Sequence, residues 1–300
     1  MSDLGSDTDF NLHTPVMLAE VVEVLSPQKG QSYLDLTAGY GGHSGKVLSL
    51  TKAEEKAVLV DRDPFAVTKL KGLFPKAEIL NQDFAAATTK LKLEGQKFDM
   101  ILADLGVSSV QLDTASRGFS FQNEGPLDMR MDSTQSLTAT DILNNYSAEQ
   151  LQDILIKYGD EPRARRIAEL IVEQRPLSLT GELTAIVKKV YGAHWRNKNP
   201  ATKTFQAIRI AVNSELDQLE EALQNILSLL NPGGRLAIIT FHSGEDRIVK
   251  KFFSERANKY DGCFKDLQKL KPFDKIEIVR NPRSRSACLR SVTFTKTNTI

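Results

Sequence analysis

Phe98-Asp99-Met100-Ile101-Leu102-Ala103-Asp104-Leu105-Gly106-Val107-Ser108-Ser109 decides how this chain is read. The apolar run 98–102 has the length and composition of a buried strand. It ends in a carboxylate, a glycine and two serines. Beyond it come Gln111-Leu112-Asp113, Arg117-Gly118-Phe119-Ser120-Phe121 and Pro126-Leu127-Asp128-Met129-Arg130-Met131-Asp132. A chain that leaves a strand and builds so long a polar loop at its C-terminal end is building a site there.

Upstream, short apolar runs alternate with helical spacing. Residues 32–36 form a strand ending at Asp35, and the glycine cluster 39–45 opens a helix through 50. A second strand, 57–60, ends at Asp61, with Pro64 near the next helix start. Residues 78–80 are a third strand and 98–102 a fourth. Strands alternating with helices predict a parallel α/β sheet. The alternation stops at about 112. Segments 147–158, 162–174 and 180–191, and a start near 201, all have helical periodicity. It then resumes: a long amphipathic helix reaches 229–230, Asn231-Pro232-Gly233-Gly234 breaks it, and 235–241 is a fifth strand. Segments 276–279 and 289–294 read as a closing strand pair. The expected architecture is one α/β domain, 13–111 with 211–300, interrupted by a helical insertion, 112–210. Residues 1–12 are expected to be disordered.

Composition narrows the class. The chain has 300 residues, 41% hydrophobic and 26% charged, enough for a packed core. No apolar run approaches the ~20 residues of a membrane span. The acidic start MSDLGSDTDF is neither a signal peptide nor an Arg-rich transit peptide. Cys263 and Cys288 are too few for a disulfide framework and too far apart for a CxxC metal site. These features predict a cytoplasmic protein with no membrane partner and no metal. The net charge of +1 is uninformative, but its distribution is not. Residues 157–209 carry 11 Lys/Arg against 5 Asp/Glu, and 271–300 carry seven against two. Such asymmetry suits a phosphate-facing surface, although solvated helix faces give the same count.

The turn Asp35-Leu36-Thr37-Ala38-Gly39-Tyr40-Gly41-Gly42-His43 admits two cofactor readings. A dinucleotide fingerprint needs G-x-G-x-x-G, and Ser44 stands at its third glycine. The D-x-x-x-G-x-G-G turn of S-adenosylmethionine methyltransferases is matched in full. Asp61, ending the next strand, is placed to accept two ribose hydroxyls, unless it caps a helix instead. Asp83-Phe84 ends the third strand, where the ring of Phe84 could pack on an adenine face.

Methyl transfer to an exocyclic amine is mostly a matter of positioning. Acceptors at its N–H bonds favour a reactive, pyramidal nitrogen. Asp104 is the candidate for that role, with the hydroxyls of Ser108 and Ser109. Carbon methylation of cytosine needs a Cys nucleophile, and neither cysteine is near Asp104 in sequence. Phe119 and Phe121 either stack on an extruded base or pin their loop to a core. Asp128 and Asp132 bracket Arg130, which favours a salt-bridged loop over a metal site. His242, in Phe241-His242-Ser243-Gly244-Glu245-Asp246-Arg247, is either a general base or a hydrogen-bonded structural residue. His194 and Trp195 lie in a basic loop with Arg196 and Lys198. Arg283 and Arg285, in Asn281-Pro282-Arg283-Ser284-Arg285-Ser286, suit phosphate contacts, as do Lys188 and Lys189.

Taken in order, these motifs resemble one family over essentially the whole chain, the bacterial ribosomal RNA small-subunit methyltransferase H (MraW) family. The resemblance runs from His13-Thr14-Pro15-Val16 through the turn 41–44, Asp61-Arg62-Asp63-Pro64 and the loop motifs quoted above. It continues through Tyr158-Gly159-Asp160-Glu161, Pro200-Ala201-Thr202-Lys203-Thr204-Phe205 and Asn213-Ser214-Glu215-Leu216 to the 281–287 loop. Leu36, Val110, Asn199 and Gly244 depart from the family's usual residues, and none removes a candidate cofactor group. The resemblance implies a Rossmann-like class I S-adenosylmethionine-dependent methyltransferase fold with an inserted helical domain. It implies N4-methylation of a cytidine of 16S rRNA in the decoding region of the small ribosomal subunit. It places cofactor contacts on Gly41, Gly42, His43, Asp61, Phe84, Asp104 and Gln111, of which His43 and Gln111 come from the resemblance alone. It also allows a homodimer. A small-molecule methyltransferase and a non-catalytic RNA binder of ribosome assembly stay open at this point.

Overall fold

The computed structural model describes residues 15–192, 199–259, 263–272, 278–279 and 281–295. The expectation of disorder at 1–12 and the basic loop holding His194, Trp195, Arg196 and Lys198 lie outside them. The chain divides into two compact units: one comprises 1–106 with 218–300, the other 107–217.

In chain order the first unit opens with α1 (Leu18–Leu25), β1 (Tyr33–Asp35), α2 (Gly42–Thr51), β2 (Ala57–Asp61), α3 (Pro64–Leu73), β3 (Glu78–Asn81), α4 (Phe84–Leu93) and β4 (Phe98–Asp104). The second unit holds α5 (Ser109–Asp113), α6 (Ala139–Asn145), α7 (Ala148–Gly159), α8 (Ala164–Glu173), α9 (Thr180–Tyr191) and α10 (Ala201–Asn213). Then α11 (Glu215–Ile226) leads back to β5 (Leu230–Thr240), α12 (Ser243–Lys259), β6 (Phe264–Leu270) and β7 (Cys288–Phe294). No helix among the described residues is long and apolar enough to cross a membrane.

The first unit is a Rossmann-like sheet of seven strands in the order β3-β2-β1-β4-β5-β7-β6. The pairs among β1 to β5 are parallel, while β7 runs antiparallel to both β5 and β6. The inner strands are continuous apolar runs because both faces are covered. Alternate residues feed two cores. Leu34, Val58, Val60, Ile101, Leu236 and Ile238 pack on one face, and Tyr33, Leu59, Met100, Leu102, Ala237 and Ile239 on the other. The strand order reverses between β1 and β4. The C-terminal ends of those neighbours form the crevice where such sheets bind ligands, and they carry Asp35 and Asp104.

Two strand expectations change. The partner of β7 is β6 at 264–270, not 276–279, and Ile278 and Val279 are helical. β6 pairs on one side only, so its residues 265–269 are exposed and, Leu267 apart, polar, and lack the alternation that marks a half-buried strand. The Asn231-Pro232-Gly233-Gly234 segment is not a break before the strand. It lies within β5, where the register jumps from Phe98↔Leu230 to Met100↔Arg235. Gly233 sits at φ +79° there, and proline is tolerated because bulged residues need not donate to the ladder.

The second unit packs its helices around one core that includes Leu127, Met129, Leu151, Leu155, Ile167, Ile171, Leu183, Phe205 and Ile208. Each such side chain fully buried contributes roughly 1.5–3 kcal/mol. The loop before α6 is held by its own chemistry. Arg130 pairs bidentately with Asp128, Nε to Oδ1 at 2.8 Å and Nη2 to Oδ2 at 2.7 Å. Asp132 accepts from the Thr134 amide instead. Buried Asn213 accepts from the Met131 amide and donates to the carbonyls of Met129 and Arg209.

Candidate functional site

The crevice is built from the first unit's glycine turn. Asp35, 1% exposed, accepts from Tyr33 Oη at 2.9 Å and Ser44 Oγ at 2.6 Å on one oxygen, and from the Thr37 amide on the other. It therefore anchors the turn from beneath. Ser44, which breaks the dinucleotide pattern, is part of that anchor. Burial raises the Asp35 carboxyl above its ordinary value, against the pull of its donors.

The turn tolerates no side chain at two positions. Gly41 sits at φ +86°, and a Cβ there would lie 2.8 Å from the Phe74 ring. A Cβ on Gly42 would lie 2.5 Å from Pro15 Cγ. Gly39 is different: among the described residues its only near neighbour is its own turn's Thr37 oxygen at 3.9 Å, which leaves its surface open to them. The backbone here is thus free to approach a ligand closely.

Asp61 binds this turn to the next strand. Its Oδ2 accepts from the Gly39 amide at 2.7 Å and its Oδ1 from the Asp63 amide at 2.8 Å. Asp63, not Asp61, caps α3 through the Phe65 amide. Each Asp61 oxygen takes one backbone donor and keeps acceptor capacity for a ligand hydroxyl. Burial raises its carboxyl to about 6, offset in part by those two amides. Phe84 is the first residue of α4, following the cap Asp83, and is partly buried against the sheet core.

Asp104 ends β4. Its amide donates to Thr37 Oγ1 at 2.6 Å, joining it to the same turn. The side chain is 24% exposed, yet Oδ1 itself is buried and has no hydrogen-bond partner among the described residues. His43 Nδ1 stands 3.7 Å from Oδ2, while Nε2 lies 3.0 Å from the Val16 carbonyl. A carbonyl can only accept, so Nε2 carries hydrogen and, in the neutral ring, Nδ1 presents a lone pair. Burial lowers the His43 pKa, which favours that neutral ring. Burial, then the negative charges of Asp35 and Glu245, push the Asp104 carboxyl well above the usual carboxylate range.

Beyond β5, buried Glu245 turns back over its helix start. Its Oε2 accepts from the Phe241 amide at 2.7 Å and the His242 amide at 3.3 Å. His242 Nε2 is 3.1 Å from Glu245 Oε1 but misaligned, so it makes no hydrogen bond. Sequence reading missed Thr37, Ser44 and Glu245. The i, i+3 spacing of His242 and Glu245 was the available signal for the last.

Other sequence candidates fall in the second unit. Ser108 and Gln111 form a reciprocal capping box on α5: Ser108 Oγ accepts the Gln111 amide and Gln111 Oε1 accepts the Ser108 amide. Ser109 is the first residue of α5. Phe119 is 5% exposed within the helical core, and Phe121 packs edge-on to Phe205 at 5.5 Å. Lys188 and Lys189 are exposed in the last turn of α9. Back in the first unit, Arg285 is exposed, and Arg283 lies in the same short helical turn, Pro282–Ser286. Both cysteines are buried. Burial and the neighbouring Asp246 raise the Cys288 thiol, making it a poor nucleophile.

Such an arrangement can hold a nucleoside by its ribose hydroxyls and present an unpartnered carboxyl oxygen beside it. Orphaned Asp104 Oδ1, the open face of Gly39 and the spare acceptor capacity of Asp61 fit an adenosyl cofactor that carries a cation.

Known proteins place the chain further. A model of the MraW methylase family matches residues 10–295. A protein of Dehalococcoides mccartyi named ribosomal RNA small subunit methyltransferase H is 43% identical, over 93% of this chain and 85% of its own length. One of that name from Rickettsia massiliae is 47% identical over 82% of this chain and 81% of its own. Another, from Syntrophotalea carbinolica, is 43% identical over 93% and 97%. Among solved structures, an rRNA methylase from Streptococcus thermophilus aligns with a TM-score of 0.41 at 13% identity, over 93% of this chain and 94% of its own. A likeness that distant says nothing about what this chain acts on.

Proposed function

The chain belongs to the MraW methylase family of S-adenosylmethionine-dependent methyltransferases, and from that premise we propose that it methylates the N4 amine of one cytidine of 16S rRNA in the decoding centre of the small ribosomal subunit. The relatives' shared name supports a small-subunit rRNA substrate. The observation that carries the chemistry is the buried Asp104 Oδ1, unpartnered among the described residues, at the switch-point end of β4.

Bound S-adenosylmethionine supplies an electrophilic methyl group on a sulfonium. The chain's part is to hold and orient. Asp61 would take the ribose hydroxyls and Phe84 would face the adenine, with the backbone at Gly41, Gly42 and His43 lining the turn and Gln111 as a further proposed contact. Asp104 accepts an N–H of the amine, with Ser108 and Ser109 as further candidates. Accepting that hydrogen raises electron density on a nitrogen whose lone pair is otherwise delocalised into the ring. Buried Cys263 and the raised thiol of Cys288 argue against carbon-5 transfer. The proposed transfer would be direct, in line and without a covalent enzyme intermediate.

RNA docking is assigned to the helical insertion 112–210, through Lys188, Lys189, Arg196 and Lys198, and to the turn holding Arg283 and Arg285. Replacing Lys188 and Lys189 by alanine should weaken RNA binding about equally for any sequence and flatten its salt dependence by roughly one slope unit per lost contact. The direct test supplies labelled methyl donor and small ribosomal subunits from cells lacking this gene, then analyses rRNA nucleosides by mass spectrometry. N4-methylcytidine at one site supports the proposal. 5-Methylcytidine, or no incorporation by a protein that binds the donor, refutes it.

A further inference from the structure

The helical insertion carries one side chain that is exposed and yet held in place. Arg163 immediately precedes α8. Its guanidinium lies over the Tyr191 ring at 4.4 Å, and its Nη1 donates to the Val190 carbonyl near the end of α9. Its backbone amide donates to Glu161 Oε1 at 3.0 Å, and the Tyr191 hydroxyl donates to the same oxygen. Glu161 is 3% exposed, and its Oε2 is buried with no hydrogen-bond partner among the described residues. Burial, then the bond to Glu161 and its charge, push the Tyr191 phenol up to about 12, so it stays a donor. One buried carboxylate thus fixes both the chain at Arg163 and the ring on which its guanidinium rests.

A helix cap does not require so much. The last carbonyls of α9 need a donor, which a loosely held Arg or Lys supplies. Holding an exposed Arg still gives up rotamer entropy, and a buried carboxylate oxygen without a donor is costly. What the arrangement achieves is a side chain with little freedom left to lose when a ligand arrives.

The chemistry of that ligand follows from the surface offered. Tyr191 covers one side of the guanidinium plane, and exposure leaves the other side to solvent. A planar cation with one free face stacks on another flat π-system. Its surroundings are basic. Lys203 Nζ donates to the Asp160 carbonyl at 2.7 Å, so Lys203 meets the chain three residues, at most about 11 Å, from Arg163. Lys188 stands one turn before Tyr191 on the same side of α9. The ion pairs near this corner involve Lys157, Arg165 and Arg166, and among the described residues none involves Arg163, Lys188 or Lys203. An acidic protein partner would use the charges but not the flat face. An unpaired RNA nucleotide uses both, with its base on the guanidinium and its phosphates on the lysines.

We propose that Arg163, backed by Tyr191, is a stacking platform for an unpaired base of the RNA substrate. The inference rests on the RNA-substrate reading above and deepens it: the insertion grips a single strand by a base as well as by phosphates. Charge alone does not fill that role, because a lysine at this position keeps the charge and loses the plane.

Fluorescence anisotropy of the full chain at low salt tests this, with a short single-stranded RNA and with an abasic strand of the same length that keeps the phosphates. Arg163→Ala should weaken binding of the base-bearing strand by roughly 5- to 100-fold, the effect of one lost stack, and binding of the abasic strand far less. Arg163→Lys should lose nearly as much as Arg163→Ala on the base-bearing strand. Tyr191→Leu should weaken that strand too, and the double variant should lose little more than Arg163→Ala alone, because the two side chains act as one. Thermal unfolding checks that each variant is folded. Full affinity for Arg163→Lys, or equal losses on both strands, overturns the platform and leaves a phosphate contact. Unchanged affinity for Arg163→Ala overturns it as well, and the RNA-docking reading then stands if Lys188→Ala with Lys189→Ala still weakens binding. Wild-type protein that binds small ribosomal subunits but neither strand overturns the platform alone. Wild-type protein that binds neither strand and no subunits overturns both.

Discussion

Ser44 Oγ donates to Asp35 Oδ2 at 2.6 Å, beneath the glycine turn. The residue that spoils a dinucleotide fingerprint is thus the one that fastens the first strand's carboxylate to the first turn of α2. A glycine there would leave Asp35 with Tyr33 as the only donor to that oxygen among the hydrogen bonds described.

Removing the bond has a measurable cost. Ser44→Ala should destabilise the protein by about 1–3 kcal/mol, because a buried carboxyl loses a donor that nothing replaces. Urea unfolding of the variant checks this, and an unchanged midpoint would show that the serine does not anchor the turn.

Asp61 gives a pH signature. Its carboxyl is raised from 3.8 to about 6 in the folded chain. A raised carboxyl favours the folded state most below the unfolded value, and that advantage is lost as pH rises through about 6. Two pH units correspond to about 3 kcal/mol. The stability difference between wild type and Asp61→Ala, followed by urea unfolding from about pH 4 to 7, should shift against the wild type by up to that amount. Asp104, also raised, cancels in the difference, while Asp35, which helps raise Asp61, cancels only in part. A difference constant with pH would contradict the assignment.

Asn213 is the pin of the helical unit. Its amide closes hydrogen bonds to Met131, Met129 and Arg209, and it is 2% exposed. Asn213→Ala strands buried backbone groups and should cost roughly 2–4 kcal/mol. Thermal unfolding should show a correspondingly lower transition, whereas Asn225→Ala, which loses side-chain bonds to Lys92 and Thr89 only, should cost less.

The two cysteines give a test of the chemistry. Cys263→Ala combined with Cys288→Ala should retain methyl transfer within a few-fold, since no step uses a thiolate. A loss beyond about a hundredfold, in protein that still folds, would point to covalent catalysis.

The parallel core of the sheet was legible because its strands are apolar on both faces and end in acidic residues: Asp35, Asp61 and Asp104 stand out for that reason. Edge strand β6 was not, because pairing on one side leaves Lys265, Asp266 and Lys269 in solvent with no periodic signal. The bulge at 231–234 was invisible for a related reason, since Pro-Gly-Gly inside a strand reads as its boundary. Within the site, carboxylates could be picked out but not their partners. That Asp63 rather than Asp61 caps α3, or that Glu245 reaches the Phe241 amide, depends on backbone donors that carry no residue identity.

The most direct test of the account is Asp104→Ala assayed on small subunits from cells lacking this gene, with donor binding and RNA binding measured on the same protein. The account predicts that wild type yields N4-methylcytidine at a single site, and that the variant loses turnover by two orders of magnitude or more while RNA affinity is unchanged. Undiminished N4-methylation by the variant would contradict the role given to Asp104.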